Sequence, residues 1–171
     1  MSTYYHPFEV RWNDLDANFH LANSSYVAYC AQTRMAFMHK QGISLKNLAK
    51  WAIGPVILHE RYSFFKEIYH GKDLYVSLEI NGVSEDGGIY QFEHKFYLED
   101  GTHCATAEAL GVWINTQTRK STLPNEEILN VIEQFKSENC QVLTKDDLKK
   151  LPFRPQNIDP NLLKEFEKCS N

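Results

Sequence analysis

The alternation of hydrophobic and polar positions changes character along the chain. From Ser24 to Gly42 (SSYVAYCAQTRMAFMHKQG), Tyr26, Val27, Tyr29, Cys30, Ala31, Met35, Phe37 and Met38 fall on nearly every side of a helical wheel. A helix that is apolar almost all round belongs inside a core. Its ends are marked as well. Asn23, Ser24 and Ser25 are N-cap types, His39 and Lys40 suit the negative end of the helix dipole, and Gly42 suits a C-terminal cap. The middle of the chain reads as strands: WAIGPVILHERYSFF, KDLYVSLEINGVS, GIYQFEHKFYLED and HCATAEALGVWIN. EDG (Glu99 to Gly101) and SEDGG (Ser84 to Gly88) supply turns between them. Upstream, Tyr4 to Trp12 is aromatic and β-branched enough for a further strand. These elements predict an α+β fold. An antiparallel sheet of about five strands wraps one long central helix, because nothing else in the chain is able to cover that helix.

Beyond Leu123, PNEEILNVIEQFK reads as an amphipathic helix started by Pro124, Glu126 and Glu127. The tail from Ser137 is polar, with short helical patterns at KDDLKK and NLLKEFEKC. The expected organisation is one domain over residues 1–137 and a C-terminal helical extension over 138–171. No internal repeat or low-complexity linker interrupts it.

Composition adds mostly exclusions. The 171 residues are 43% hydrophobic and 23% charged, with a net charge of −4. That is ordinary globular usage and lacks the basic footprint of a nucleic-acid binder. No apolar run approaches the roughly 20 residues that span a bilayer. The first residues, MSTYYHPFEV, carry neither a basic n-region nor an apolar h-region, so a cytoplasmic protein without membrane attachment is expected. Cys30, Cys104, Cys140 and Cys169 form no CxxC pair and are expected as free thiols.

Two enzyme templates are missing: the GxSxG elbow of α/β hydrolases and the Gly-rich phosphate loops. The seven histidines show no HExxH or clustered ligand spacing, so no metal is expected. What remains is DLDANFHLANSSYVAY, from Asp14 to Tyr29. Asp14, Asp16, Asn18 and His20 stand at alternate positions, and an extended segment would send all four to one side. They lead into the start of a buried helix, where free N–H groups and the dipole attract negative charge. A carboxylate held beside such a helix end suits acyl-group hydrolysis. The plainer alternative is a polar loop with an Asn cap.

RWNDLDANFHLANSSYVAY (Arg11 to Tyr29) resembles the signature of hotdog-fold acyl thioesterases, the 4-hydroxybenzoyl-CoA thioesterase-like branch and its acyl-ACP thioesterase relatives. The shared pattern is D-x-D, then N-x-H, then Asn and Tyr in the first helical turns. Asp14, Asp16, Asn18, His20, Asn23 and Tyr26 stand at those places. FKEIYHGKDLYV and EDGTHCATAEALGVWINTQTRKSTLP resemble two later stretches of the family, and the resemblance covers roughly residues 4 to 137. Two positions depart: Phe19 stands where the family often has Gly, and Ala22 where it often has a second Asn. Both bear on substrate choice more than on the reaction.

The resemblance implies hydrolysis of an acyl-CoA or acyl carrier protein thioester, without cofactor or metal. Ser24 to Gly42 contains no Asp or Glu. Some hotdog thioesterases carry a catalytic Glu on that helix; the resemblance then implies a carboxylate before it, and Asp16 matches the catalytic Asp of the family's other branch, as general base or nucleophile. Asn18 and His20 would orient Asp16 or the water, with His20 as a plain structural hydrogen-bonder the alternative. Backbone N–H groups around Asn23 and Ser24 would hold the oxyanion. Phe19, Ser24 and Tyr26 are the expected substrate-binding residues, Tyr26 and Tyr29 lining the pocket or packing. Asp14 would hold the loop. The relatives also imply a homodimer or homotetramer with the acyl site between protomers. A non-catalytic acyl-binding protein is the competing function, and a hotdog dehydratase a weaker one, because its His-centred signature is missing.

Overall fold

The structure, a computed structural model, describes residues 3–161. Strand β1 (Tyr4–Glu9) is followed by a 3-10 turn at Trp12–Asp14 and the long helix α1 (Asn23–Lys40). Next come α2 (Leu45–Trp51), β2 (Ile53–Phe64), β3 (Asp73–Ser84), β4 (Ile89–Leu98) and β5 (His103–Asn115). The chain then forms α3 (Glu126–Phe135), β6 (Lys136–Leu143) and α4 (Lys145–Lys149). The main sheet runs β1-β3-β4-β5-β2 with antiparallel pairs, and β6 adds a parallel strand beside β3. This is the expected hotdog arrangement: a sheet wrapped on a central helix.

Helix α1 presses Tyr26, Tyr29, Cys30, Thr33, Arg34, Phe37 and Met38 onto the sheet. Its other face stays open, with Val27 41% and Met35 38% exposed. A sheet covers one side of a helix, so an all-round apolar helix keeps one unpartnered stripe in a single chain. Gly42, at φ 81°, takes the left-handed turn after the helix, a conformation that favours glycine.

The core divides in two. One apolar cluster joins Tyr26, Tyr29 and Cys30 to Leu74, Val76 and Phe96. The other joins Phe37 and Met38 to Ile80, Phe92 and Trp113, and is closed by Ile128, Ile132 and Phe135 of α3. Between them the buried residues Thr33, Arg34, Ser77 and His94 form a polar layer. Burial pushes His94 down to about 3, helped by the charge of Arg34, so its ring is neutral. Its Nδ1 lies 2.9 Å from the Ser77 carbonyl oxygen, and Arg34 Nη1 approaches Nε2 at 3.4 Å. Arg34 also pairs with Glu60 at 2.9 Å.

Two elements escaped the sequence pattern. Helix α2 is a seven-residue turn capped by the Ser44 hydroxyl, which accepts from the Asn47 N–H at 3.2 Å. Strand β6 crosses residue 137, where the domain was expected to end, and joins the sheet; it then leads into α4 at the expected KDDLKK helix. Leu143 and the half-buried Leu148 and Leu151 cover Ile89 and Leu110 on the outer face. The helical pattern NLLKEFEKC falls almost wholly outside the described residues, as does Cys169. Cys30, Cys104 and Cys140 are free thiols.

Candidate active site

The segment before α1 is folded back on itself. The 3-10 turn at Trp12–Asp14 aims Asp14 inward, where it is 7% exposed. Arg11 grips its carboxylate with Nε and Nη2, at 3.0 Å each, and the Tyr29 hydroxyl donates to Oδ2 at 2.9 Å. The Arg11 hydrogen bond, ahead of the other causes, holds Asp14 below the usual carboxylate range. The main chain of Asp14 is used as well. Its carbonyl oxygen accepts from the Ala22 N–H at 2.9 Å and from the Ser25 hydroxyl at 2.8 Å.

Asp16 organises a second, tighter turn. Its Oδ1 accepts from the N–H groups of Asn18 at 2.8 Å and His20 at 3.3 Å. Its own N–H donates to the His20 carbonyl at 2.8 Å, and Phe19 N–H donates to the Asp16 carbonyl at 3.0 Å. Phe19 closes the turn at φ 63° with its ring 75% exposed. This left-handed geometry explains why glycine suits the position. The alternate spacing of Asp14, Asp16, Asn18 and His20 therefore does not place them on one face. Asp14 is buried; Asp16 and Asn18 are exposed; His20 is half-buried. Two turns replace the expected extended segment, because Asp side chains satisfy neighbouring N–H groups locally.

The loop is strapped to the connection between β2 and β3. Leu21 N–H donates to the Ile68 carbonyl at 2.8 Å, and His20 pairs with Tyr69 in an isolated bridge. His20 Nε2 lies 3.7 Å from Glu67 Oε2, which accepts from the Tyr69 hydroxyl at 2.6 Å. The Tyr69 ring meets the His20 ring edge-on at 4.9 Å. Glu67 and Tyr69 were not singled out from the sequence. Their signal was the FKEIYHG stretch, which contains both but does not announce its contact with residue 20.

Helix α1 begins at Asn23. The N-cap is Ala22, at φ −65° and ψ 148°, and no side chain caps the end. The expected Asn cap is thus corrected: Asn23 and Ser24 are the first two helical residues, both exposed. Their N–H groups donate to no acceptor among the described residues, as the geometry of a helix start requires. Ser25 and Ala22 are held by Asp14, so the free donors sit on a fixed base. Tyr26 is 4% exposed and packs on Phe64 and Phe96 at 4.9 and 5.0 Å, taking the packing role rather than the lining one in this chain. Its hydroxyl is pushed up to about 12, by burial first and then by the charges of Cys104 and Asp16.

Three apolar rings are exposed at the start of this loop and at the end of β2: Trp12 at 79%, Phe65 at 60% and Phe64 at 51%. A groove of about 740 Å³ lies elsewhere, between the β3–β4 turn, the Ser121–Leu123 segment and α4, and shares no residue with the Asp16 turn. No group of three metal-binding side chains occurs among the described residues.

Comparison with known proteins gives a consistent likeness. A family model described as the thioesterase-like superfamily matches residues 10–132. No curated protein matches the chain. Among solved structures, a hypothetical protein of Staphylococcus aureus in complex with CoA has a TM-score of 0.74 at 23% identity, over 90% of this chain and 96% of that one. The 1,4-dihydroxy-2-naphthoyl-CoA thioesterase of Synechocystis has a TM-score of 0.68 at 18% identity, over 77% of this chain and 96% of that one. A DHNA-CoA thioesterase of Staphylococcus aureus reaches 0.68 at 16% identity, over 78% and 88% of the two chains. At these identities the structural likeness carries the fold.

Proposed function

The chain belongs to the thioesterase-like superfamily, and from that premise we propose that it hydrolyses acyl-CoA thioesters, with acyl carrier protein thioesters as the neighbouring substrate class. The observation that carries this reading is the pair of N–H donors at Asn23 and Ser24, free among the described residues, on a helix start that the Asp16 turn leads into along the chain. A thioester carbonyl placed on those donors gains its stabilisation as charge develops on oxygen. Asp16 serves as general base or nucleophile. As base it takes a proton from water while the water oxygen attacks the carbonyl carbon. As nucleophile its carboxylate attacks first, and water then cleaves the mixed anhydride. In both routes the tetrahedral oxyanion collapses by breaking the carbon–sulfur bond; the departing thiolate takes its proton from Asp16 in the first route and from the hydrolytic water in the second.

His20, paired with Glu67, orients the water, and Asn18 lines the approach. Phe19 and Ser24 bound the acyl group. The binding pocket is completed by a second copy of the chain, as a homodimer or homotetramer. Among the described residues strand β2 ends the sheet with one edge unpaired, a feature that pairing with a second chain resolves. Phe64 of β2 and Phe65 after it stay exposed, as do Val27 and Met35 on the open face of α1. The solved CoA complex in the same fold favours CoA as the thiol portion. Within the described residues no helix is long and apolar enough to cross a membrane.

The test is thiol release from short, medium, long and aromatic acyl-CoAs and from an acyl carrier protein thioester, with sedimentation run alongside. Turnover of at least one substrate, falling as the protein is diluted below its dimer, supports the reading. Tight binding of an acyl-CoA without release favours a non-catalytic acyl-binding protein. A strictly monomeric species with full activity contradicts the shared site.

A further inference from the structure

We propose that Asp14 is a positioning residue for the oxyanion donors, acting through the Ser25 hydroxyl and through Tyr29. The inference rests on the thioesterase reading above and adds residues that reading does not require. Asp14 joins groups from three segments. Arg11 precedes the 3-10 turn and binds the carboxylate through Nε, Nη2 and its own N–H, each at 3.0 Å. Tyr29, in the second turn of α1, donates to Oδ2 at 2.9 Å. Its ring is fixed in turn by stacking on Phe8 of β1 at 4.2 Å with an interplanar angle of 7°. The Asp14 carbonyl oxygen binds Ala22 N–H and Ser25 Oγ, the residues on either side of Asn23 and Ser24.

The consequence follows from helix geometry. Among the described residues the N–H groups of Asn23 and Ser24 have no partner of their own to set their direction, and a helix without a side-chain cap frays at its first turn. Here the cap position is Ala22, which offers no side-chain acceptor. Asp14 takes over that restraint from outside the helix. It pins the residue before the donors by its main chain and the residue after them by its hydroxyl. The carboxylate, held by Arg11 and Tyr29, keeps that carbonyl oxygen from rotating away. A donor that swings off the oxyanion costs little in substrate binding and much in the transition state, where the charge appears.

Ser25→Ala and Tyr29→Phe test this, each removing one hydroxyl. Expected are a kcat loss of about 10–100-fold for Ser25→Ala, in line with a misplaced catalytic group, and a smaller one for Tyr29→Phe. In both, KM stays within about twofold, because ground-state binding is untouched. The second readout is the infrared carbonyl stretch of the acyl-CoA turned over fastest in the panel, labelled with 13C at the thioester and bound to Asp16→Asn. The band lies below its position in water in Asp16→Asn. It moves back toward that position when Ser25→Ala is added. An unshifted band in Asp16→Asn itself means that the helix start is no oxyanion site, which overturns the proposed function rather than this inference. A shifted band that Ser25→Ala and Tyr29→Phe leave unchanged, with kcat intact, overturns the inference alone. Parallel losses in kcat, KM and melting temperature reduce Asp14 to fold maintenance and overturn it too. Tyr29→Phe keeps the ring stacked on Phe8, so it provides the answer if Ser25→Ala fails to fold.

Discussion

Replacing Asn23 by proline and by alanine separates the backbone donor from the side chain that carries it. Asn23 is the first residue of α1, and its N–H has no helical acceptor. Proline at that place removes the donor and breaks no hydrogen bond. The residue before a proline is restricted to extended geometry, and Ala22 already sits at φ −65° and ψ 148°. The helix is therefore expected to survive, with stability unchanged or raised by about 0.4–1 kcal/mol through the stiffer unfolded chain. Alanine keeps the donor. Because the cap is Ala22 and the Asn23 side chain is exposed, its removal is expected within about 0.5 kcal/mol of neutral. That is less than the roughly 1 kcal/mol lost with a true Asn cap. Activity divides the two variants. Loss of one oxyanion donor lowers kcat by about 10²–10³, or roughly 2.7–4 kcal/mol of transition-state stabilisation. Asn23→Ala is expected within a few-fold of wild type. The assay is thiol release under saturating acyl-CoA, after circular dichroism has shown both variants folded. Equal kcat in folded Asn23→Pro and Asn23→Ala refutes the donor role and moves the oxyanion to Ser24 or off the helix.

Asp16→Asn is expected to keep the fold, since an amide oxygen is able to accept the same two N–H bonds as Asp16 Oδ1. It should lose about 10²-fold or more in kcat, and wild-type turnover would shift the chemistry away from Asp16. Phe19→Gly relieves a left-handed residue at φ 63°. A strain of about 1–2 kcal/mol, set against roughly 0.5–1 kcal/mol of glycine entropy, leaves the variant as stable as wild type or slightly more so. A several-fold rise in KM at constant kcat would show that the exposed ring meets the acyl group; an unchanged KM would remove Phe19 from the substrate. His94 supplies a pH test. Its folded pKa, pushed down to about 3, lies below that of the unfolded chain. The unfolded state therefore binds the extra proton first, and stability present above about pH 6.5 is lost as the pH falls toward 3. Between pH 7 and pH 5 this amounts to about 2 kcal/mol, or roughly 4–8 °C in melting temperature. The slope should flatten in His94→Gln, and an unchanged slope would show that His94 is not the group responsible.

The sequence by itself determined the elements and their order. Tyr26, Tyr29, Cys30, Phe37 and Met38 at helical spacing fixed α1, and the alternating runs fixed β2 to β5, because side-chain period is a local property of the backbone. The motif from Asp14 to Asn23 was legible for the same reason, and α1 starts where that motif ends. The grouping inside that motif was not. Alternate spacing suggested four side chains on one face, and two local turns sent Asp14 inward and Asp16 outward. Only the packed structure could decide this, because Asp14 is held by Tyr29 of α1 as much as by its neighbour Arg11. Glu67 reaches His20 across forty-odd residues of chain, through pairing of Leu21 and His20 with the segment after β2. Strand β6 was hidden for a related cause. KSENCQVL is too polar to read as a strand, and it becomes one because the outer edge of β3 offers it a parallel partner. Local pattern sets what a segment tends to be; contacts between distant segments set which of its groups meet, and a catalytic site is made of such meetings.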